Sequence, residues 1–298
     1  MRSVLLHSLL TASPVDRPVV VACSGRCGST LLQSILNTHR DFLIWGEHNG
    51  FLRQIAAAYY EARHERFPDR SGWDAQRRIR QLRNHRHWAA WQNLCGEAEF
   101  HERFRAFIRS LFADPFGQAT RWGFKEIRYP RGSKDQTLRL MFDCFPETRL
   151  IILIRDAEAT IFSILSHWVF GQRDARPGLA ELDAQILAAA HSWNVQYMHL
   201  HRLAKTYAGN CLKLRYEDLK NAKSYERLSQ FLEASPFDYP AALAKVKDAS
   251  NKSDPTALLI RRRMKFLQAE IESATAGARA AYGYSLGAGL SRVAGDNL

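Results

Sequence analysis

The chain has 298 residues, of which 46% are apolar and 24% are charged. This composition is typical of a folded globular protein, and a core of that size needs neither disulfides nor metal ions for stability. The formal net charge of +12 favours an anionic partner: a nucleic acid, an acidic membrane, an acidic glycan or a phosphorylated nucleotide.

The cysteines and the N-terminal residues indicate the compartment. The five cysteines are odd in number and show no paired metal-ligand spacing, which argues against a disulfide framework and a zinc site. The apolar run Ser3–Leu10 is too short to span a bilayer and lacks a clear cleavage region. We therefore expect a reduced, cytoplasmic protein without a transmembrane segment or a metal. The sequence carries no information on oligomeric state.

The first predicted elements are a strand, a turn and a helix. Residues 1–17 form a loose lead-in by composition and position. The continuous apolar run Val19–Cys23 is bounded by Pro18 and by Ser24-Gly25, which predicts a buried strand of a parallel sheet. Thr30–Leu36 then carries apolar residues at helical spacing.

The middle of the chain predicts a helical insertion and a second strand. Residues 51–112 are dense in Arg, His, Trp and Ala and are expected to be helical. Trp122–Phe124 is a short strand candidate. Ser133 and Gln136 form a capping-box pattern that opens a helix over Leu138–Phe145.

The strongest buried-strand pattern in the chain is Leu150–Ile154. A helical segment follows it to about Trp168. Further on, the sequence predicts a helix over Glu181–Tyr207, a strand over Cys211–Leu214 and a closing helix over Ala257–Ala281.

This alternation predicts an α/β fold: a parallel sheet flanked by helices, P-loop nucleotide-kinase-like, with the helical insertion at 51–112. We expect one domain over residues 1–298. Ligands of such sheets bind beyond the carboxyl ends of the strands. The polar segments after the two strongest strands are therefore the candidate sites.

The first candidate site is the loop Ser24–Thr30. Gly25 and Gly28 allow a sharp turn that points several backbone N–H groups at one place. The start of the following helix adds partial positive charge, and the hydroxyls of Ser29 and Thr30 add donors. The loop predicts a phosphate or sulfate site.

The loop is not a Walker A motif, which requires G-x-x-x-x-G-K-[ST]. Aligned on Gly28, the first glycine position holds Cys23 and the lysine position holds Ser29. A cation, Arg26, stands two residues before Gly28. This arrangement suits a 5′-phosphate group that carries a transferable anion better than a triphosphate with Mg²⁺.

The second candidate site follows the strand Leu150–Ile154. Arg155 emerges at its carboxyl end, Asp156 can cap the next helix, and Ser163 lies two helical turns further on. A guanidinium binds a dianionic phosphate through two parallel hydrogen bonds, and a hydroxyl completes the site. An unrelated Arg-Asp surface pair is the simpler alternative.

Together these segments resemble the sulfotransferases that use 3′-phosphoadenosine 5′-phosphosulfate (PAPS). Their 5′-phosphosulfate loop reads approximately [KR]-S-G-[ST]-[ST], which Arg26–Thr30 matches with Cys27 in place of serine. In that family an arginine after a strand and a serine eight residues later hold the 3′-phosphate, as Arg155 and Ser163 would. The resemblance implies PAPS as donor and no metal. Cys27 is either a reactive thiol at a helix N-terminus or a filler whose backbone N–H binds the ligand.

Two later segments extend the resemblance. Leu214–Leu219 resembles the family's Y-E-D segment, in which the tyrosine approaches the adenine. Tyr216 is the candidate for that contact, and core packing is its alternative role. The family's basic R-K-G clamp on the 3′-phosphate has only Lys252, in Asn251-Lys252-Ser253, as a counterpart.

Sulfuryl transfer is an in-line displacement that needs cations near the transferred and leaving oxygens and a base for the acceptor hydroxyl. Arg26 is the predicted cation at the bridging oxygen. Lys125 lies in a segment that resembles the family's K-T-H strand end, where the lysine touches the sulfate and the histidine is the base. Ile127 occupies the histidine position here, so the base must come from elsewhere.

Carbohydrate-type and many bacterial sulfotransferases use a glutamate after the first helix as the base. Glu47, in Trp45-Gly46-Glu47-His48, occupies that place and is the predicted base. His48 is the alternative, since it needs no pKa shift. A third interpretation pairs Glu47 with an arginine such as Arg53.

The resemblance predicts transfer to a hydroxyl of a small-molecule or glycan acceptor, with the 51–112 insertion lining the acceptor site. The glutamate base favours a carbohydrate-like alcohol as that acceptor. A P-loop-type small-molecule kinase is the main alternative. The Arg- and His-rich stretch 63–109, with interleaved tryptophans, could bind nucleic acid, but acidic residues are mixed through it. We therefore expect no nucleic-acid partner.

Overall fold

A computed structural model describes residues 17–66, 97–115, 117, 119–128, 136–170, 177–237 and 255–285. The described strands form one sheet of five parallel strands in the order β2-β3-β1-β4-β5. Their bounds are Val19–Cys23 (β1), Phe42–Trp45 (β2), Arg121–Glu126 (β3), Arg149–Ile154 (β4) and Cys211–Arg215 (β5).

The α-helices of the described residues alternate with these strands. They are Ser29–Leu36 (α1), Leu52–Arg66 (α2), Glu97–Phe112 (α3), Gln136–Cys144 (α4), Ala157–Ile164 (α5), Leu179–Thr206 (α6), Ala222–Leu232 (α7), Pro255–Phe266 (α8) and Gln268–Tyr282 (α9). A π-helical turn, Leu165–Val169, extends α5, and a 3₁₀ turn, Tyr216–Lys220, follows β5.

Both faces of the sheet are covered, which explains why β1 is apolar along its whole length. Val19, Val21 and Cys23 point into a core made with α1 and α7. Val20 and Ala22 point into a larger core made with the remaining helices. The predicted α/β fold, with a parallel sheet flanked by helices, is confirmed.

Most predicted elements are present, with three differences. The strand β2 was not predicted, because four apolar residues between Asp41 and Gly46 give too short a pattern. Helix α7 was also not predicted. The predicted closing helix Ala257–Ala281 is wrong as one element, since the chain breaks at Leu267 into α8 and α9; neither glycine nor proline marks that break.

Some predictions fall on residues that the structure does not describe. The lead-in 1–17 lies outside the described residues apart from Arg17, as do the centre of the 51–112 insertion between α2 and α3, and Ser133 of the capping box. Lys252 is outside them as well. Among the described helices, none is long and apolar enough to cross a membrane.

Candidate functional site

The loop between β1 and α1 has the backbone of an anion cradle. Arg26 and Gly28 both adopt left-handed conformations, with φ of 61° and 88°. Gly28 sits at the N-cap of α1, and its carbonyl accepts from Leu31 and Leu32. The turn therefore directs the free N–H groups at the start of the helix towards the carboxyl end of the sheet.

The loop is held from behind by Tyr197 of α6. The Tyr197 hydroxyl donates to the carbonyl of Leu153 in β4 at 3.0 Å. It also accepts from the Ser24 N–H at 3.3 Å and contacts the Ser24 hydroxyl at 2.9 Å. Sequence reasoning missed Tyr197, because its position on the apolar face of a long helix gives no functional signal.

Cys27 lies on the inner side of the loop. Its side chain is fully buried in the core shared with α1. Burial opposes ionisation of the thiol, but hydrogen bonds involving Cys23 and Ser29 outweigh burial and lower the Cys27 pKa. The thiol faces away from the pocket described below, which leaves the Cys27 backbone as the part that can meet a ligand.

The second candidate site, formed by Arg155 and Ser163, is a second anion cradle and lies directly beside the loop. Arg155 follows β4, the neighbour of β1 in the sheet, and its Nη1 donates to the carbonyl oxygen of Arg26 at 3.3 Å. Arg26 Nε in turn donates to the Ser163 hydroxyl on α5 at 3.1 Å. Partial burial and the nearby charge of Arg155 lower the pKa of Arg26. The two guanidinium groups of Arg26 and Arg155 thus lie close together, and an anion bound between them would relieve their repulsion.

Tyr216 lies beside both cradles. The guanidinium carbon of Arg155 is 4.7 Å from the centre of the Tyr216 ring. The same ring packs on Gly28, where an added Cβ would come within 2.2 Å of Tyr216 Cδ2. The 3₁₀ turn after β5 therefore brings Tyr216 against the loop, and only glycine fits beneath it.

Glu47 and Lys125 meet at the ends of β2 and β3. Lys125 Nζ donates to Glu47 Oε1 at 2.8 Å and lies 3.5 Å from the Thr30 hydroxyl at the start of α1. Arg128 Nη1 donates to Glu47 Oε2 at 3.2 Å. Glu47 thus pairs with Lys125 and Arg128 in place of the arginine considered from sequence, Arg53.

His48 lies on the far side of the same segment. Its side chain is only 3% exposed, and the ring packs edge-on against Phe51 and Phe124. Its Nδ1 is 3.3 Å from Glu126, a buried carboxylate that also accepts from the Gly50 N–H. Burial lowers the His48 pKa. The structure thus directs His48 into the core, whereas Glu47 faces the pocket.

A pocket of about 460 Å³ joins these groups. It contains three cations and one carboxylate together with loop backbone and two apolar side chains. The lining residues are Gly25, Arg26, Gly28, Ser29, Thr30, Glu47, Lys125, Ile127, Arg155, Ser163 and Trp168. Such a concentration of cations around a helix N-terminus suits a ligand with more than one anionic group.

Trp168 is a pocket residue that the sequence did not single out. The π-helical turn after α5 places its ring over Gly25, and an added Cβ at Gly25 would lie 2.1 Å from it. The ring centre is 6.0 Å from the Arg26 guanidinium, and 53% of the residue is exposed. A departure from α-helical geometry of this kind often marks a functional site, but it has no signature in the sequence.

Among the described residues, no group of three or more His, Cys, Asp and Glu side chains could hold an ion. Positive charge in the pocket comes from Arg26, Lys125 and Arg155.

Residues 18–238 match the Sulfotransferase family. A search of curated protein sequences gives no match. Similar solved structures include a sulfotransferase from Alicyclobacillus acidocaldarius (17% identity, 91% of this chain and 98% of that chain, TM-score 0.50). The sulfotransferase domain of the Synechococcus PCC 7002 olefin synthase is also similar (19% identity, 93% and 98%, TM-score 0.53). So is the sulfotransferase domain of the curacin biosynthetic pathway (16% identity, 92% and 100%, TM-score 0.50). At these identities the likeness concerns the fold.

Proposed function

The chain belongs to the sulfotransferase family, and we propose that it transfers the sulfuryl group of PAPS to the hydroxyl of an acceptor. One observation carries the proposal: the two cradles meet in a single pocket, linked through Arg26 to both Arg155 and Ser163. A donor with phosphate groups at both its 5′ and 3′ positions needs two anion sites within the length of one nucleoside.

The residues fit such a donor without a metal. We assign its 5′-phosphosulfate to Gly25–Thr30 and its 3′-phosphate to Arg155 and Ser163. Tyr216, beside both, is assigned to the adenine, and Lys252 to a further contact with the 3′-phosphate. The position of the Walker lysine is Ser29, which disfavours the alternative of an ATP-dependent kinase.

When bound, PAPS supplies a sulfuryl group on a good leaving phosphate. Arg26 and Lys125 stabilise the charge that develops on the equatorial and leaving oxygens. Glu47 removes the proton from the acceptor hydroxyl as the new S–O bond forms. The bond to the bridging oxygen breaks, and adenosine 3′,5′-bisphosphate leaves with the electron pair.

We propose that the acceptor enters beside Glu47, in the pocket whose apolar lining residues are Ile127 and Trp168. We propose a carbohydrate-like or other small alcohol, because a glutamate base and a half-exposed indole suit a ring that carries hydroxyl groups. The insertion 51–112 would line the outer part of this site, since α2 begins directly after the Glu47 segment.

Calorimetry with adenosine 3′,5′-bisphosphate tests the donor assignment. The protein should bind this nucleotide without Mg²⁺ and bind ATP with Mg²⁺ much more weakly. Arg155→Ala should weaken bisphosphate binding by about 2 kcal/mol, roughly thirtyfold, because charge-assisted hydrogen bonds are lost.

Arg149→Ala is a matched control at the opposite end of β4, where Arg149 donates to Asn210 and Glu233. It should leave bisphosphate binding unchanged. Mg²⁺-dependent ATP binding together with no affinity for the bisphosphate would replace this proposal with the kinase alternative.

A further inference from the structure

We propose that the C-terminal segment Arg279–Ser285 positions the 3′-phosphate cradle, acting through Glu217. The proposal rests on the proposed function, because it concerns the donor site of the same pocket. The segment lies beyond residues 18–238, over which the chain matches its family.

Glu217 is the link between the segment and the cradle. Its Oε1 accepts from the backbone N–H of Asp156 at 2.9 Å. Its Oε2 accepts from the hydroxyl of Tyr284 at 2.7 Å. One carboxylate thus connects the C-terminal segment to the residue that follows Arg155.

The backbone N–H that Glu217 binds belongs to Asp156, which links the two cradle residues Arg155 and Ser163. Asp156 is the N-cap of α5, and its side chain accepts from the Ala159 N–H. It therefore fixes both the exit of Arg155 from β4 and the start of the helix that carries Ser163. The residue before Glu217, Tyr216, packs against the Arg155 guanidinium. The 3₁₀ turn after β5 thus contacts the cradle at two consecutive residues.

Tyr284 is itself held in place. Arg279, which is 1% exposed, donates to the carbonyl of Ser285 at 3.1 Å and to Glu158 of α5 at 3.0 Å. The guanidinium of Arg215 lies 5.6 Å from the centre of the Tyr284 ring. The segment is thus anchored on both sides of Tyr284, and its hydroxyl can fix the orientation of Glu217.

The 5′ end of the site is held by other groups. Tyr197 supports the loop through Ser24, and α1 continues from Gly28. Removing the Tyr284 hydroxyl should therefore loosen the grip on a 3′-phosphate while leaving the grip on a 5′-phosphate unchanged. Tyr284 is in this view a positioning residue. Its loss should weaken binding of a nucleotide with a 3′-phosphate only, whereas general destabilisation would weaken binding of both nucleotides.

The test compares two nucleotides that differ only in the 3′-phosphate. Binding of adenosine 3′,5′-bisphosphate and adenosine 5′-phosphate is measured by calorimetry for the wild type and Tyr284→Phe. We expect the bisphosphate to bind about threefold to tenfold more weakly to the variant, the range of one net hydrogen bond. Binding of the 5′-phosphate should change less than twofold.

Tyr60→Phe is the matched control, because it removes a tyrosine hydroxyl that also donates to a carboxylate, Asp143 Oδ2 at 2.8 Å, and neither residue lines the pocket. It should bind both nucleotides as the wild type does. An equal loss for both nucleotides in Tyr284→Phe, or no loss for either, would overturn the proposal. If the wild type bound neither nucleotide, the proposed function itself would fail, which is a separate result.

Discussion

Glu47 accepts a hydrogen bond on each carboxylate oxygen, one from Lys125 and one from Arg128. Oε1 keeps a second lone pair, but an acceptor hydroxyl has freer access to this oxygen when Lys125 moves away. Lys125 also lies near Thr30 in the loop. A sulfuryl group bound at the loop would compete for the ammonium group and expose Oε1. In the proposed reaction, donor binding therefore prepares the base.

Glu47→Gln tests this role. The amide oxygen can still accept from a cation, but the side chain cannot take a proton. We expect kcat to fall by at least about 10²-fold. Calorimetry should show little change in the affinity for adenosine 3′,5′-bisphosphate, because Glu47 is assigned to the acceptor side of the pocket.

His48→Gln is the comparison variant, since the two residues are adjacent but face opposite ways. Its turnover should stay within a few-fold of the wild type, although its stability will fall because the ring packs among aromatic side chains. The reverse pattern, with near-normal turnover in Glu47→Gln and none in His48→Gln, would make His48 the base.

The sequence predicted residues that follow strands better than residues that reach the pocket from helices. Arg155, directly after β4, and Lys125, near the end of β3, were found because a polar residue at the carboxyl end of an apolar strand has a defined position at the sheet edge. Tyr197 and Trp168 were missed. The first contributes through a single hydroxyl on a buried helical face, and the second through a π-helical turn.

At the scale of elements, the conformation of the loop between β1 and α1 depends on close contact between its backbone and two aromatic rings. Trp168 covers Gly25, and Tyr216 covers Gly28. Gly28 also has positive φ. The glycines in the sequence indicated a turn, but the packing of Tyr216 on one of them depends on the strand order, which brings β5 and β1 to either side of β4.

Gly28→Ala should damage both the fold and the donor site. The left-handed conformation costs about 1–2 kcal/mol for a residue with a Cβ, and the methyl group would force Tyr216 away from Arg155. We expect this stability loss in urea denaturation. Affinity for adenosine 3′,5′-bisphosphate should fall at least about tenfold, since Arg155 loses its packing partner.

Gly117→Ala separates the loss of stability from the loss of nucleotide affinity. Gly117 has φ of 67° and open space where a Cβ would lie. It should show the loss of stability that the left-handed backbone alone causes, with unchanged nucleotide affinity. Equal nucleotide affinity in the two variants would show that contact between Tyr216 and the loop is unimportant for binding.

Strands were predictable from the sequence where their runs of apolar residues were long enough. The strands β1 and β4 are continuous apolar runs, and the structure has them within one residue of their predicted bounds. β2 is four residues long and lies at the sheet edge. Its pairing with β3, a contact distant in sequence, makes it a strand, and local pattern holds no information on such a contact.

At the scale of the whole molecule, the strand order assembles the pocket. β1 lies at the centre, with β3 on one side and β4 on the other. The loop after β1 is thus flanked by Lys125 and by Arg155, from segments far apart in sequence. The net charge of +12 adds a long-range attraction for a polyanionic nucleotide, which salt would weaken.

A buried ion pair joins α9 to α5, and its loss should be costly. Arg279 of α9 and Glu158 of α5 have side chains that are 1% and 4% exposed. Arg279→Met leaves Glu158 buried without its cation, and we expect a loss of about 3–5 kcal/mol in urea denaturation.

Two further variants show whether the cost comes from the unpaired charge. Arg263→Met, which removes a more exposed pair with Asp183 between α8 and α6, should hardly move the unfolding midpoint. Adding Glu158→Leu to Arg279→Met should restore at least half of the lost stability, because an apolar pair can replace a buried ion pair. A double variant as unstable as the single one would show that Arg279 stabilises the protein through its other contacts, to Asp156, Thr275 and Ser285.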